Sequence, residues 1–166
     1  MKILLVVNKT LPRVTNDGNV KGVLDSSFYN LYIPLLELGH TVYFYDTISP
    51  VIKDFNDVYD KFKPDLVFCC ITGNSQVTPY EPLEKIKEIT ESGDCITFNW
   101  FCDDTWRFDT FSKHVCNLFY ACSTPEPSHI EKYKNINYNN ILLGCWHVSN
   151  NMYCKHTEYL NDISFV

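Results

Sequence analysis

Apolar runs and amphipathic stretches alternate along the chain. KILLVV at 2–7 is an uninterrupted apolar run, ended by Asn8 and by NKTLPRVTNDGNVKG, a stretch rich in turn formers. This spacing predicts a buried strand followed by a long loop reaching Gly22. Over residues 23–38, apolar side chains recur at helical spacing (Val23, Leu24, Phe28, Leu31, Tyr32, Leu35, Leu36), and Gly39 follows where a helix stops. Pro34 interrupts the pattern and predicts a kink or a late start, because it carries no N–H for the helical ladder. TVYFYD at 41–46 alternates as a strand, and DFNDVYDKFK at 54–63 has the period of a short amphipathic helix. PDLVFCCITG at 64–73 is a continuous apolar run, the mark of a strand buried on both faces.

The second half keeps the rhythm. Residues 81–92 predict a helix with Pro82 in its first turn and Gly93 past its end. CITFNWF at 95–101 reads as a strand, as do NLFYAC at 117–122 and NNILLGCW at 139–146, with SHIEKYKNI at 128–136 as the helix between the last two. Strands alternating with helices predict an α/β protein with a Rossmann-like doubly wound parallel sheet. In such sheets ligands bind beyond the carboxyl ends of the strands. The loops expected on that rim are residues 8–22, residues 47–50, ITGNSQ at 71–76, NWFCDDTWRFD at 99–109 and STPEPSH at 123–129.

Composition narrows the class. With 166 residues, 45% hydrophobic and 20% charged, the chain fits one globular domain. A net charge of −6 and only two arginines argue against nucleic acid as a partner, since phosphate neutralisation needs clustered basic side chains. No apolar run is long enough for a transmembrane segment, MKILLVV is too short for a signal peptide, and the expected location, the cytoplasm, follows from cysteines that read as reduced thiols. The eight cysteines (69, 70, 95, 102, 116, 122, 145 and 154) include no C-x-x-C pair and mostly sit in apolar runs. They read as reduced thiols acting as small buried hydrophobes.

Candidate chemistry concentrates in NWFCDDTWRFD. Asp103 and Asp104 are adjacent and point different ways if extended, so they do not read as a shared-proton dyad. One suits a general base, the other a helix cap ahead of TWRFDTF. The D-x-D spacing of metal-dependent nucleotide-sugar enzymes is absent, and no metal site is expected. Trp100 and Trp106 offer flat faces for stacking or for core packing, and Arg107 pairs with Asp104 or Asp109 or orients a ligand. GNVKG at 18–22 is either a flexible loop or an anion contact through the backbone N–H groups at its two glycines and the Lys21 ammonium. Gly73 and Asn74 fit a plain βα turn or a hydroxyl-binding one. His40 reads as structural and His114 as a helix-end cation, while His129 and His147 lie at loop positions from which either can reach a site.

NWFCDDTWRFDTFSK, the STPEP loop, EKYKNINYNNILLGCW and the final NDISFV together resemble the N-terminal half of GT-B glycosyltransferases of the spore-maturation type. LELGHTVYFYD is similar to a common second-strand entry in such folds. The resemblance implies a Rossmann-like N-terminal, acceptor-side domain at 1–161, with 162–166 opening a C-terminal nucleotide-sugar-binding domain that the chain lacks. It also implies transfer of a sugar from a nucleotide sugar, the co-substrate, to a hydroxyl of a glycan or protein acceptor, with no tightly bound cofactor and little activity from this piece alone. In that scheme Asp103 or Asp104 is the base. Asn19, Lys21 and Gly22 lie near the cleft, Gly73, Asn74 and Asn99 bind acceptor hydroxyls, Trp100 and Trp106 shape the floor, and Arg107 orients an aspartate; His129, placed by its loop position alone, is a further substrate-binding candidate as acid, base or phosphate donor. The competing expectations are a stand-alone module that binds a nucleotide or sugar without turnover, and a small Rossmann-like oxidoreductase, which the missing glycine fingerprint weakens.

Overall fold

A computed structural model describes residues 1–14, 16, 20–49 and 54–144. Asn19, Cys145, His147, Cys154 and the expected boundary at 162–166 lie outside the described residues, and so does the side chain of Lys21.

The first apolar run forms β1 (Lys2–Val7), whose residues 3 to 7 are all buried. Full burial contributes about 1.5–3 kcal/mol per large aliphatic side chain, which favours an interior strand position for β1, between β4 and β5. The expected long loop is instead an antiparallel hairpin, β2 (Thr10–Val14) with β3 (Val20–Leu24), in which Pro12 faces Gly22. Proline normally demotes a strand, but a two-stranded ribbon leaves it an edge position where no ladder bond is lost. Val23 and Leu24 therefore belong to β3, and the helix starts later than residue 23. Its first part, Phe28–Tyr32, is a π turn, and the α register begins in α1 (Ile33–Glu37), with Pro34 in the first turn. A proline there has no N–H to miss, which fits the expected late start.

The chain continues through β4 (Thr41–Asp46), α2 (Phe55–Phe62), β5 (Leu66–Cys69), α3 (Leu83–Ser92) and β6 (Ile96–Trp100). Asp54 caps α2 by accepting the Asn56 N–H at 2.8 Å, and Gly93 ends α3 at φ +72°. After β6 a broken helical segment runs from α4 (Asp104–Arg107) through a π turn (Phe108–Ser112) into α5 (Lys113–Val115). The strand expected at 117–122 begins later, as β7 (Ala121–Thr124), because Cys116–Leu118 makes a 3₁₀ turn. The Tyr120 N–H is taken by the Thr97 hydroxyl at 2.9 Å, outside the β ladder. Then follow α6 (His129–Asn135) and β8 (Ile141–Leu143).

All six strands of the main sheet are parallel, in the order β4-β1-β5-β6-β7-β8. The fold is α/β and Rossmann-like, doubly wound as the alternation predicts. From β1 the chain steps one way to β4 and then turns back across β1 to β5 and onward. Right-handed crossovers made in opposite directions put their helices on opposite faces. Leu31 from the first helix thus packs with Leu5, Val7 and Trp100 on one face. Phe55, Val58, Ile86, Ile89, Phe108 and Tyr133, from the later helices, pack with Leu4, Val6 and Val67 on the other.

Candidate functional site

The reversal of strand order falls between β1 and β5, where the loops leaving the two strands part and open a crevice. A pocket of about 240 Å³ occupies it. Asn8 enters from the end of β1, Asp25, Ser27 and Asn30 from the start of the first helix, and Thr72 from the loop after β5. Asp103 and Arg107 close it from beyond β6, with Trp100, 8% exposed, beneath. A larger hollow, about 740 Å³, lies where α2 and α3 begin, lined by Tyr45, Asp54, Tyr80 and Glu84. Trp100, Cys102, Asp103 and Arg107 of the polar-aromatic run line the crevice, and a much smaller cavity of about 10 Å³ adjoins Phe101, Asp103 and Asp104.

Local hydrogen bonds hold the rim in shape. Asp25 accepts the Ser27 N–H at 2.8 Å, and its own N–H reaches the Lys9 carbonyl at 2.8 Å. Asp46, buried at the end of β4, accepts the N–H groups of Lys9 (2.9 Å) and Ile48 (3.2 Å), so this carboxylate ties two rim loops together. In the loop after β5, Glu81 accepts the N–H groups of Thr72 (2.6 Å) and Gly73 (2.9 Å) and the Thr78 hydroxyl (2.8 Å). The Arg107 guanidinium donates to the Thr72 carbonyl and lies 4.4 Å over the Phe111 ring. Gly73 has φ +65°, and a Cβ built there would lie 2.0 Å from Phe111. The loop after β5 and the helical segment after β6 therefore interlock through a backbone position only glycine fills.

The structure separates the two adjacent aspartates. Asp103 is half-buried and lines the pocket. Asp104 is 0% exposed and turned into the core, where it accepts the Tyr133 hydroxyl at 3.0 Å. Burial, reinforced by the Asp104 charge, pushes the Tyr133 phenol far above its ordinary value, so it remains a donor. His129 is buried as well, with Nδ1 3.5 Å from Asp104 Oδ2 and Nε2 2.9 Å from the Lys132 ammonium. The expected cap before TWRFDTF is also placed differently: Asp103 holds the N-cap position without a side-chain hydrogen bond, and Asp104 is the first helical residue.

The remaining candidates divide. Asn99 is fully buried, with its Oδ1 on the Ile71 N–H at 3.1 Å, so it joins β5 to β6 beneath the rim. Trp106 is 71% exposed beside Arg107, with the guanidinium 5.6 Å over its ring, and does not line the pocket. Asn74 is exposed and spends its Oδ1 on the Gln76 N–H at 3.0 Å, a turn of its own loop. Gly22 is exposed on the hairpin. Asn8, Asp25, Ser27 and Asn30 were not singled out by spacing. The available signal was Asp-Ser-Ser at 25–27, a helix-start motif directly after the glycine-containing stretch.

Of the six described cysteines, Cys69, Cys95, Cys116 and Cys122 are buried, matching their expected use as small hydrophobes, while Cys70 and Cys102 are partly buried at the pocket wall. Among the described residues, no group of three or more His, Cys, Asp or Glu is arranged to hold a metal ion. No described helix is long and apolar enough to cross a membrane. No family model, curated protein or solved structure matches the chain, so a functional reading rests on the chemistry of this crevice and on the quoted motif resemblance.

Proposed function

We propose that the chain is the acceptor-binding domain of a glycosyltransferase, holding a sugar or another polyhydroxylated acceptor in the switch-point crevice. The observation that carries this reading is the lining. Asn8, Asp25, Asn30 and Asp103 line the crevice together with Trp100, while the hydroxyls of Ser27 and Thr72 at its wall are held by Asp25 and by Glu81 at 3.0 Å. Convergent polar groups over an aromatic surface suit a ring bearing several hydroxyls. Asp103 is the base that would take the acceptor proton, since it lines the crevice, whereas Asp104 is fully buried and accepts the Tyr133 hydroxyl. The donor is a nucleotide sugar, the co-substrate suggested by the resemblance of NWFCDDTWRFDTFSK, and the setting is the cytoplasm.

Amide-resolved NMR titration of the chain with mono- and oligosaccharides, nucleotide sugars and NAD tests this. Saturable saccharide-induced shifts at Asn8, Thr72 and Asp103 support it. Where transfer from a nucleotide sugar is detected, Asp103→Asn lowers kcat by at least about a hundredfold, the scale of a lost general base. Saccharide binding without transfer or donor hydrolysis favours the stand-alone binding module. Unmoved crevice amides with saccharides, together with shifts induced by NAD, would sink the sugar reading.

A further inference from the structure

The pocket wall also brings two thiols together. Cys70 directly follows β5, and Cys102 lies in the turn between β6 and α4. Because β5 and β6 are parallel neighbours, their carboxyl ends emerge side by side, and the two sulfur atoms lie 3.7 Å apart with the Cys70 S–H donating to Cys102. Both residues are partly buried and line the same 240 Å³ space.

We propose that Cys70 and Cys102 form a reversible dithiol–disulfide site in the crevice wall, oxidised by low-molecular-weight disulfides such as glutathione disulfide. The sulfurs must close from 3.7 Å to about 2.05 Å. Cys102 sits in a turn outside the β ladder, so that movement falls on the turn and spares the sheet. The hydrogen bond from Cys70 lowers the Cys102 thiol below its ordinary value against the opposing effects of burial and the Asp103 charge, with a smaller lowering from Arg107. The same hydrogen bond and burial raise Cys70, as do the charges of Asp25 and Asp103. Cys102, which accepts the Cys70 S–H and lies in the turn that can move, is the attacking sulfur, and Cys70, fixed at the end of β5, the resolving one.

The Cys102 thiolate attacks one sulfur of glutathione disulfide. The S–S bond breaks, and one glutathione leaves as a thiolate that takes a proton from water. Cys70 then loses its proton and attacks Cys102 Sγ, expelling the second glutathione. Two protein thiols are oxidised to one disulfide, and one glutathione disulfide is reduced to two thiols. The new bond joins the loop carrying Thr72 to the turn carrying Asp103 and so makes the crevice redox-sensitive. The site stands independently of the sugar reading, because it is read by mass with no ligand present.

The test exposes the full chain to excess glutathione disulfide at neutral pH, traps free thiols by alkylation and maps peptides without reduction. The expected product is a Cys70–Cys102 cross-link that dithiothreitol reverses. In Cys70→Ser a glutathione adduct accumulates on Cys102. In Cys102→Ser modification of Cys70 is at least about tenfold slower than that of Cys102 in the first variant. The wild-type map needs no variant to fold, and Cys→Ala changes at the same positions repeat the comparison. Cross-links or adducts that fall on Cys145 or Cys154 while Cys70 and Cys102 stay free overturn the proposal.

Discussion

Replacing Gly73 by alanine tests whether the rim is built by the interlock between the loop after β5 and the segment after β6. The perturbation is one methyl group, and two costs follow from the structure. At φ +65°, an L-residue sits in the left-handed region, which costs about 1–2 kcal/mol. The added Cβ would also lie 2.0, 2.6 and 2.6 Å from three atoms of the Phe111 ring. That ring cannot simply retreat, with Arg107 stacked 4.4 Å above it and the Phe101 ring edge-on at 6.1 Å. Overpacking of this kind adds about 1–3 kcal/mol, for a total of about 2–5 kcal/mol. Gly93 is the internal control: its φ is +72°, but nothing lies within 4 Å of a built Cβ, so Gly93→Ala carries the conformational cost alone. Urea denaturation of both variants, read as midpoint shifts at constant m-value, should show Gly73→Ala the more destabilised by at least about 1 kcal/mol. Adding Phe111→Ala should recover part of the steric loss in a double-mutant cycle. Equal losses for the two glycines, or no coupling to Phe111, would refute the interlock.

Two further outcomes separate the neighbouring acids and thiols. Tyr133→Phe removes the hydroxyl that reaches buried Asp104 and should cost about 1–3 kcal/mol in urea unfolding, whereas Asp103→Asn at the half-buried rim should stay within about 0.5 kcal/mol; the reverse order would contradict the assignment of Asp104 to the core. Iodoacetamide alkylation followed against pH should give Cys102 a half-maximal rate below the ordinary thiol range and Cys70 one above it, because a lowered thiol forms thiolate at lower pH. Cys70→Ala removes the S–H donor and should move the Cys102 profile to higher pH; an unmoved profile would show that the hydrogen bond is not the cause.

The linear pattern was most informative where burial is symmetrical. An apolar run such as KILLVV can satisfy its surroundings only in the middle of a sheet covered on both faces, and β1 lies between β4 and β5. Gly39 and Gly93 mark helix ends in sequence and take positive φ there. Legibility fell where a local signal has two outcomes. Val23 and Leu24 match a helix or a short strand, and pairing with Leu11 and Thr10 decides for the strand. Asn117 and Leu118 extend an apolar run, but a 3₁₀ turn takes them because the Thr97 hydroxyl offers the Tyr120 amide a partner.

The strand and helix rhythm, and with it the α/β class and the placement of NWFCDDTWRFD after a strand, follow from hydrophobic periodicity, a property each segment carries in its own residues. Which side chains of that run face the crevice depends on contacts made far along the chain. Asp103 and Asp104 are chemically identical in the string. Asp104 becomes a core residue because Tyr133, 29 positions later, donates to it, while Asp103 is left on the rim. Cys70 and Cys102 become a pair only because β5 and β6 run parallel and adjacent. Those distinctions arise from strand order and packing between distant segments, which local periodicity does not encode.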